Sequence, residues 1–180
     1  MTADNVLLEE RQPTERELLF EEAHKRFKAD LERIDDMILA VVKAQIVVER
    51  FMIELLEAYG RDPKHFFFTA QKITECKKID PLEVGQTMWE LLSLCSYVRN
   101  ELVHSLDNEQ LKAKANAVRE AYLAATENER QKQGIRDMND TQMVTSALYD
   151  CGSLIVVATD AKVAADKKQK SSAAHVTPAA

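Results

Sequence analysis

From Thr14 to Tyr59 neither glycine nor proline interrupts the chain. A stretch that long without a breaker is hard to fit into a β sandwich or barrel, which needs a turn roughly every 8–12 residues. The whole chain of 180 residues holds only four glycines and four prolines, so long helices with few connections are the expected solution. Within the stretch, Phe20, Phe27, Leu31, Ile34 and Ile38 recur three, four or seven residues apart and make one apolar helical face. Thr14 followed by Glu17 is a capping box, with Pro13 just ahead. Uncapped helices well beyond about 25 residues are uncommon in small domains. Two helices are therefore expected here, broken near Asp30 or Asp35. The second, about 36–59, is apolar nearly all round and is expected to be the central, most buried helix.

Start and stop signals mark the remaining helices. Asp62-Pro63 places an N-cap before a proline at the first helical position and opens a helix through Lys78. Asp80-Pro81 repeats the device, adds Glu83 as capping-box partner, and opens a helix through Trp89 and Cys95 to about Ser105. Asp107 with Gln110 starts the next, which Gly134 stops. Asn139-Asp140 caps a final helix to about Lys167. Val, Ile and Thr around 154–159 have strand character, but no second run offers a pairing partner, so helix is preferred. The fold class is all-α: an up-and-down bundle of five to six helices. Residues 1–13 are expected to be a flexible segment and 14–167 a single bundle, with a core of about 14–133 and a final helix of about 140–167. The small, polar, non-periodic end, 168–180, is expected to be a disordered tail.

Bulk properties exclude several function classes. A net charge of −6 does not suit a protein that coats nucleic acid nonspecifically through a broad basic face. Direct DNA binding is not expected either, since no helix-turn-helix with a basic recognition helix is legible. The beginning MTADNVLLEE has neither a basic n-region nor an apolar h-region. The most apolar run, MILAVVKAQIVV (37–48), is too short to span a bilayer and contains Lys43 and Gln45. A cytoplasmic protein with no membrane role is the simplest expectation. Cys76, Cys95 and Cys151 are odd in number and sit in apolar surroundings, which suits buried thiols in a reducing compartment. With no CxxC pair, no histidine at ligand spacing and no Gly-rich phosphate loop, neither a metal nor a cofactor is expected.

One segment carries chemistry. In SYVRNELVHSLD (96–107), an otherwise apolar helix holds Arg99, Asn100 and His104 close together. On a wheel of about 100° per residue, Val84, Leu91, Leu94, Cys95, Val98 and Leu102 form a core stripe. The opposite side carries Gln86, Trp89, Ser93, Ser96, Tyr97, Asn100 and His104, with Arg99 at its edge. A face turned to water is usually rich in Lys and Glu. This one holds hydroxyls, aromatics, an amide and an imidazole, a mixture suited to a surface that is covered without joining the core. Trp89, Ser93, Ser96 and Tyr97 are thus substrate-binding or interface candidates, and Arg99, Asn100 and His104 are catalytic candidates. Asn100 and His104 lie one turn apart, and the long side chain of Arg99 can swing toward them. Such a set suits metal-free phosphodiester cleavage: His104 as general base or acid, Arg99 holding phosphate bidentately, Asn100 orienting a phosphate oxygen or the imidazole. The plainer reading pairs Arg99 with Glu49 or Glu101 and lets His104 cap a helix end.

The run RNELVH resembles the signature of the HEPN superfamily, an arginine and a polar residue followed by a histidine, here with four residues between Arg99 and His104. VRNELVHSL is also similar to the mannitol-repressor-like branch of such proteins. The motif covers about six residues, and the bundle over roughly 14–130 agrees in helix order and length. The resemblance implies a homodimer in which two such helices meet and two Arg/His sets form a composite cleft. It also implies a metal-independent endoribonuclease of toxin–antitoxin or defence systems, in which the RNA 2′-hydroxyl attacks its own phosphate and leaves a 2′,3′-cyclic phosphate. The alternative it implies is a non-catalytic module of transcription regulation or protein interaction that uses the same face as its interface.

Other candidates carry less. His24, His65 and His175 stand apart and are read as surface or tail, and Asp35-Asp36 as a helix break or solvated face. Of Phe66, Phe67 and Phe68, one or two should pack on the core and another should meet a partner subunit; a base-stacking platform is the other use of such a run. The KKQK run at 167–170 reads as solvated tail.

Overall fold

The computed structural model describes residues 13–79, 84–104 and 108–174. Among the described residues all regular structure is helical: α1 (Glu15–Ala58), a 3-10 turn (Pro63–His65), α2 (Thr69–Ile79), α3 (Gln86–His104), α4 (Asn108–Ala125), α5 (Glu129–Asp137) and α6 (Asp140–Ala174). The expected all-α class is what these residues adopt, and the 154–159 run lies inside α6. The expected caps at Asp80-Pro81-Glu83 and at Asp107 fall outside the described residues, as do Ser105 and His175. Contacts divide the chain between Asp36 and Met37 into two compact units. None of the described helices is long and apolar enough to cross a membrane.

In the first unit the Thr14 capping box forms as the sequence indicates. The Thr14 N–H donates to Glu17 Oε2 at 2.6 Å, the Thr14 hydroxyl to the same oxygen at 2.8 Å, and the Glu17 N–H to Thr14 Oγ1 at 3.3 Å. These bonds hold the Glu17 carboxyl below the usual range. The helix then continues without the break expected near Asp30 or Asp35. Aspartate lowers helix propensity by well under about 1 kcal/mol; only proline removes a backbone donor, and none occurs here. Phe20 and His24, one turn apart, stack with centroids 6.4 Å apart.

In the second unit, residues 37–58 of α1 bury Val41, Ala44, Val48, Met52, Leu55 and Leu56, while Leu39, Ile46 and Val47 remain exposed. This segment is therefore one-sided, which corrects the expectation that it is the central helix. That place belongs to α3, which packs against α2, α4 and α6 and buries Trp89, Leu91, Leu92, Cys95, Val98 and Leu102. Composition alone made α1 look central; what decides is how many neighbours surround a helix. α1 ends where Gly60 takes a left-handed φ of 71°, with the Arg61 N–H on the Leu56 carbonyl at 2.9 Å.

Two more boundaries differ from expectation. Asp62 does cap, accepting from the Lys64 N–H at 3.0 Å, but the element it opens is only the 3-10 turn. α2 begins after the phenylalanines. There the Phe68 N–H donates to Gln71 Oε1 at 3.2 Å, and the Phe68 carbonyl accepts from the Gln71 and Lys72 N–H groups. Further on, α4 ends at Ala125, and Asn128 caps a separate α5 by accepting from the Arg130 and Gln131 N–H groups at 2.9 and 3.2 Å. Gly134 lies inside α5 instead of stopping α4. Asn139 and Gln142 form a reciprocal box at the start of α6, which continues past Lys167. Arg119 of α4 closes this corner by donating to the carbonyls of Ile135 and Met138 and to Asp140.

Candidate functional site

The uncharged face of α3 opens onto a cleft of about 620 Å³. Its far walls are Glu49 of α1 and the segment from Phe67 to Thr74, which turns into α2. Six of the α3 residues singled out by spacing line it: Ser93, Ser96, Tyr97, Arg99, Asn100 and His104. Trp89 does not. It is 1% exposed and belongs to the apolar core. A helical wheel cannot know which side of α3 its neighbours cover: the Cys151 thiol of α6 donates to the Met88 carbonyl at 3.5 Å, while Gln86, Thr87 and Glu90 stay exposed. The part of the face that lines the cleft begins at Ser93, and Trp89 serves packing.

The polar atoms of the cleft sort into two kinds. The Ser93 hydroxyl donates to the Trp89 carbonyl at 2.9 Å, Ser96 to Leu92 at 3.1 Å, and Thr74 to Ala70 at 2.8 Å. Thr69 donates to Glu49 Oε1 at 2.5 Å. Every one of these hydroxyl protons is committed inside the protein, so what the four oxygens can offer a ligand is lone pairs. Donors come from the C-terminal end of α3. Arg99 Nη1 donates to Asn100 Oδ1 at 3.1 Å, which turns the amide's NH₂ into its available group. Exposed His104 occupies the last turn. The cleft thus runs from an acceptor end at Ser93 and Ser96 to a donor end at Arg99, Asn100 and His104.

Glu49 supplies the fixed negative charge. Burial pushes its carboxyl up, but hydrogen bonds from Thr69 and Lys72, with the charges of Lys72 and Arg99, outweigh that and hold it below the usual carboxylate range. The Lys72 ammonium sits 3.0 Å from Glu49 Oε2, with the lysine side chain only 11% exposed. Lys72 thereby neutralises the carboxylate from the protein side, and Glu49 attracts the Arg99 guanidinium across the cleft. Glu101, the other carboxylate considered for Arg99, turns instead to Lys114 of α4.

Spacing along one helix found the α3 residues. It missed Thr69, Lys72 and Thr74, which come from α2 and are joined to the site only by the packing of α2 against α3. The available signal was faint: a glutamate interrupting the apolar run of α1, and a lysine three residues after Thr69 on the face that α2 buries.

No family model, curated protein or solved structure matches the chain.

Chemically, the donor end offers a guanidinium, an amide NH₂ and an imidazole on one cleft, groups suited to an anion and to proton transfer.

Proposed function

We propose that the chain is a HEPN-like, homodimeric, metal-independent endoribonuclease whose site is the Arg99–Asn100–His104 end of the cleft. The observation that carries this reading is that these three side chains line one cleft, with Arg99 Nη1 donating to Asn100 Oδ1. In the reaction proposed, His104 takes the proton from the ribose 2′-hydroxyl as its oxygen bonds to the adjacent phosphorus. Arg99 and Asn100 hold the non-bridging oxygens as charge builds on them. The P–O5′ bond breaks, and the departing 5′-oxygen receives a proton from His104 of a second copy. The products are a 2′,3′-cyclic phosphate and a 5′-hydroxyl.

The test is cleavage of a structured RNA and a tRNA pool in EDTA by wild type beside His104→Ala and Arg99→Ala, with the 3′ ends analysed. Cyclic-phosphate ends that disappear in both variants, at unchanged helicity, support the reading. Silence from wild type on both substrates refutes it. The second reading is a mannitol-repressor-like regulatory module in which the same face binds protein. What favours it is Tyr97, 56% exposed on the cleft wall, an apolar ring of the kind interfaces cover. It expects His104→Ala to change association and leave no chemistry to lose.

A further inference from the structure

Of the three phenylalanines between the 3-10 turn and α2, Phe66 packs on the core, while Phe67 and Phe68 are 81% and 70% exposed and line the cleft. Tyr97, on the α3 wall of the same cleft, is a third exposed ring. Leaving a phenylalanine in water forgoes the stabilisation of burying its ring, and tight connections normally use small polar residues. Nor are the rings on a loose loop. Phe66 anchors the segment from one side, and the Phe68 backbone is fixed from the other by its exchange of hydrogen bonds with Gln71.

We infer that Phe67, Phe68 and Tyr97 form a stacking platform for unpaired bases that flank the phosphate held at Arg99 and His104. This rests on the ribonuclease reading and narrows its substrate to single-stranded RNA, the loops and ends whose bases have open faces. The placement fits that ligand. Stacking rings stand beside a cationic, donor-rich corner for phosphate, and the committed hydroxyls of Ser93, Ser96 and Thr74 offer only lone pairs, the complement of base amino groups. An A-form duplex keeps its bases stacked on each other and presents no face to the rings.

The experiment measures binding of the full chain to a short 2′-O-methyl oligoribonucleotide, which cannot be cleaved, as a single strand and as a duplex. Wild type, Phe67→Leu, Phe68→Leu, the double variant and Tyr97→Leu are compared, since leucine keeps apolar contact but removes the aromatic face. The single strand is expected to bind in clear preference to the duplex. Each replacement should weaken it about fivefold or more, with the oligomeric state by light scattering unchanged. Equal affinity for both forms, or undiminished affinity in the double variant, overturns the inference. So does loss of affinity accompanied by a changed oligomeric state, which makes the rings an interface between copies. Phe-dependent binding without any cleavage of natural RNA removes the catalytic reading and leaves the platform; cleavage with Phe-independent binding removes the platform alone.

Discussion

Gln45 is 1% exposed, and neither its side-chain oxygen nor its nitrogen has a hydrogen-bond partner among the described residues. An amide desolvated without compensation costs about 1–3 kcal/mol, and methionine has nearly its shape without its polarity. Gln45→Met should therefore stabilise the protein by about 1 kcal/mol or more, read as a higher urea midpoint at constant slope. Glu49 makes the opposite prediction because its charge is satisfied. Its folded pKa lies below the unfolded value near 4.5, so its contribution is fully present above that value and is lost as pH falls through the lower folded one. Glu49→Gln should flatten the acid limb of stability against pH below about 4.5, followed by urea unfolding from about pH 6 downward. At this scale the sequence was informative wherever one helix determined the answer. Arg99, Asn100 and His104 were singled out by spacing and line one cleft, whereas Trp89 is buried, because a wheel cannot know which side of a helix its neighbours cover.

Helix boundaries were legible where a side chain caps its own helix and illegible where two signals competed. The Thr14–Glu17 box forms as its spacing indicates, and Asn139 caps α6 as expected. Asp62-Pro63 is as strong a signal on paper, yet three successive aromatics follow it. A continuing helix would have spread them round its circumference, whereas a break lets Phe66 pack inward while Phe67 and Phe68 turn out. Asn128 competes as a signal with Gly134, the stronger punctuation in sequence but a residue that α5 accommodates. Asn128→Ala should cost about 1 kcal/mol and fray α5, measurable by thermal unfolding. Arg119 matters more, since it ties α4 to the α5–α6 corner through two carbonyls and Asp140. Removing it strands those carbonyls, and Arg119→Ala should cost about 2–3 kcal/mol. α1 and α6 meet closely at Gly152, where an added Cβ would lie 3.2 Å from Val48 Cγ2 and 3.5 Å from the Phe51 ring. Gly152→Val should destabilise by about 1–3 kcal/mol through overpacking.

At the scale of the second unit, the cleft belongs to no single segment: Glu49, Phe67–Thr74 and Ser93–His104 are brought together by packing around α3. That is why half the site could be read from one helix and half could not. The same packing buries all three cysteines, none of them in a disulfide. Burial pushes the Cys151 thiol up to about 12 and Cys95 well above its ordinary value. A thiol so placed meets an alkylating reagent only when the helices around it part. Cys76 lies in α2, Cys95 in α3 and Cys151 in α6, so the chain carries three natural clocks, one on each of three packed helices. If the helices part together, all three label at one rate, set by opening and independent of reagent above saturation; if α2 leaves first, Cys76 runs ahead of the others. The protein thus reports on its own breathing through thiols it already carries.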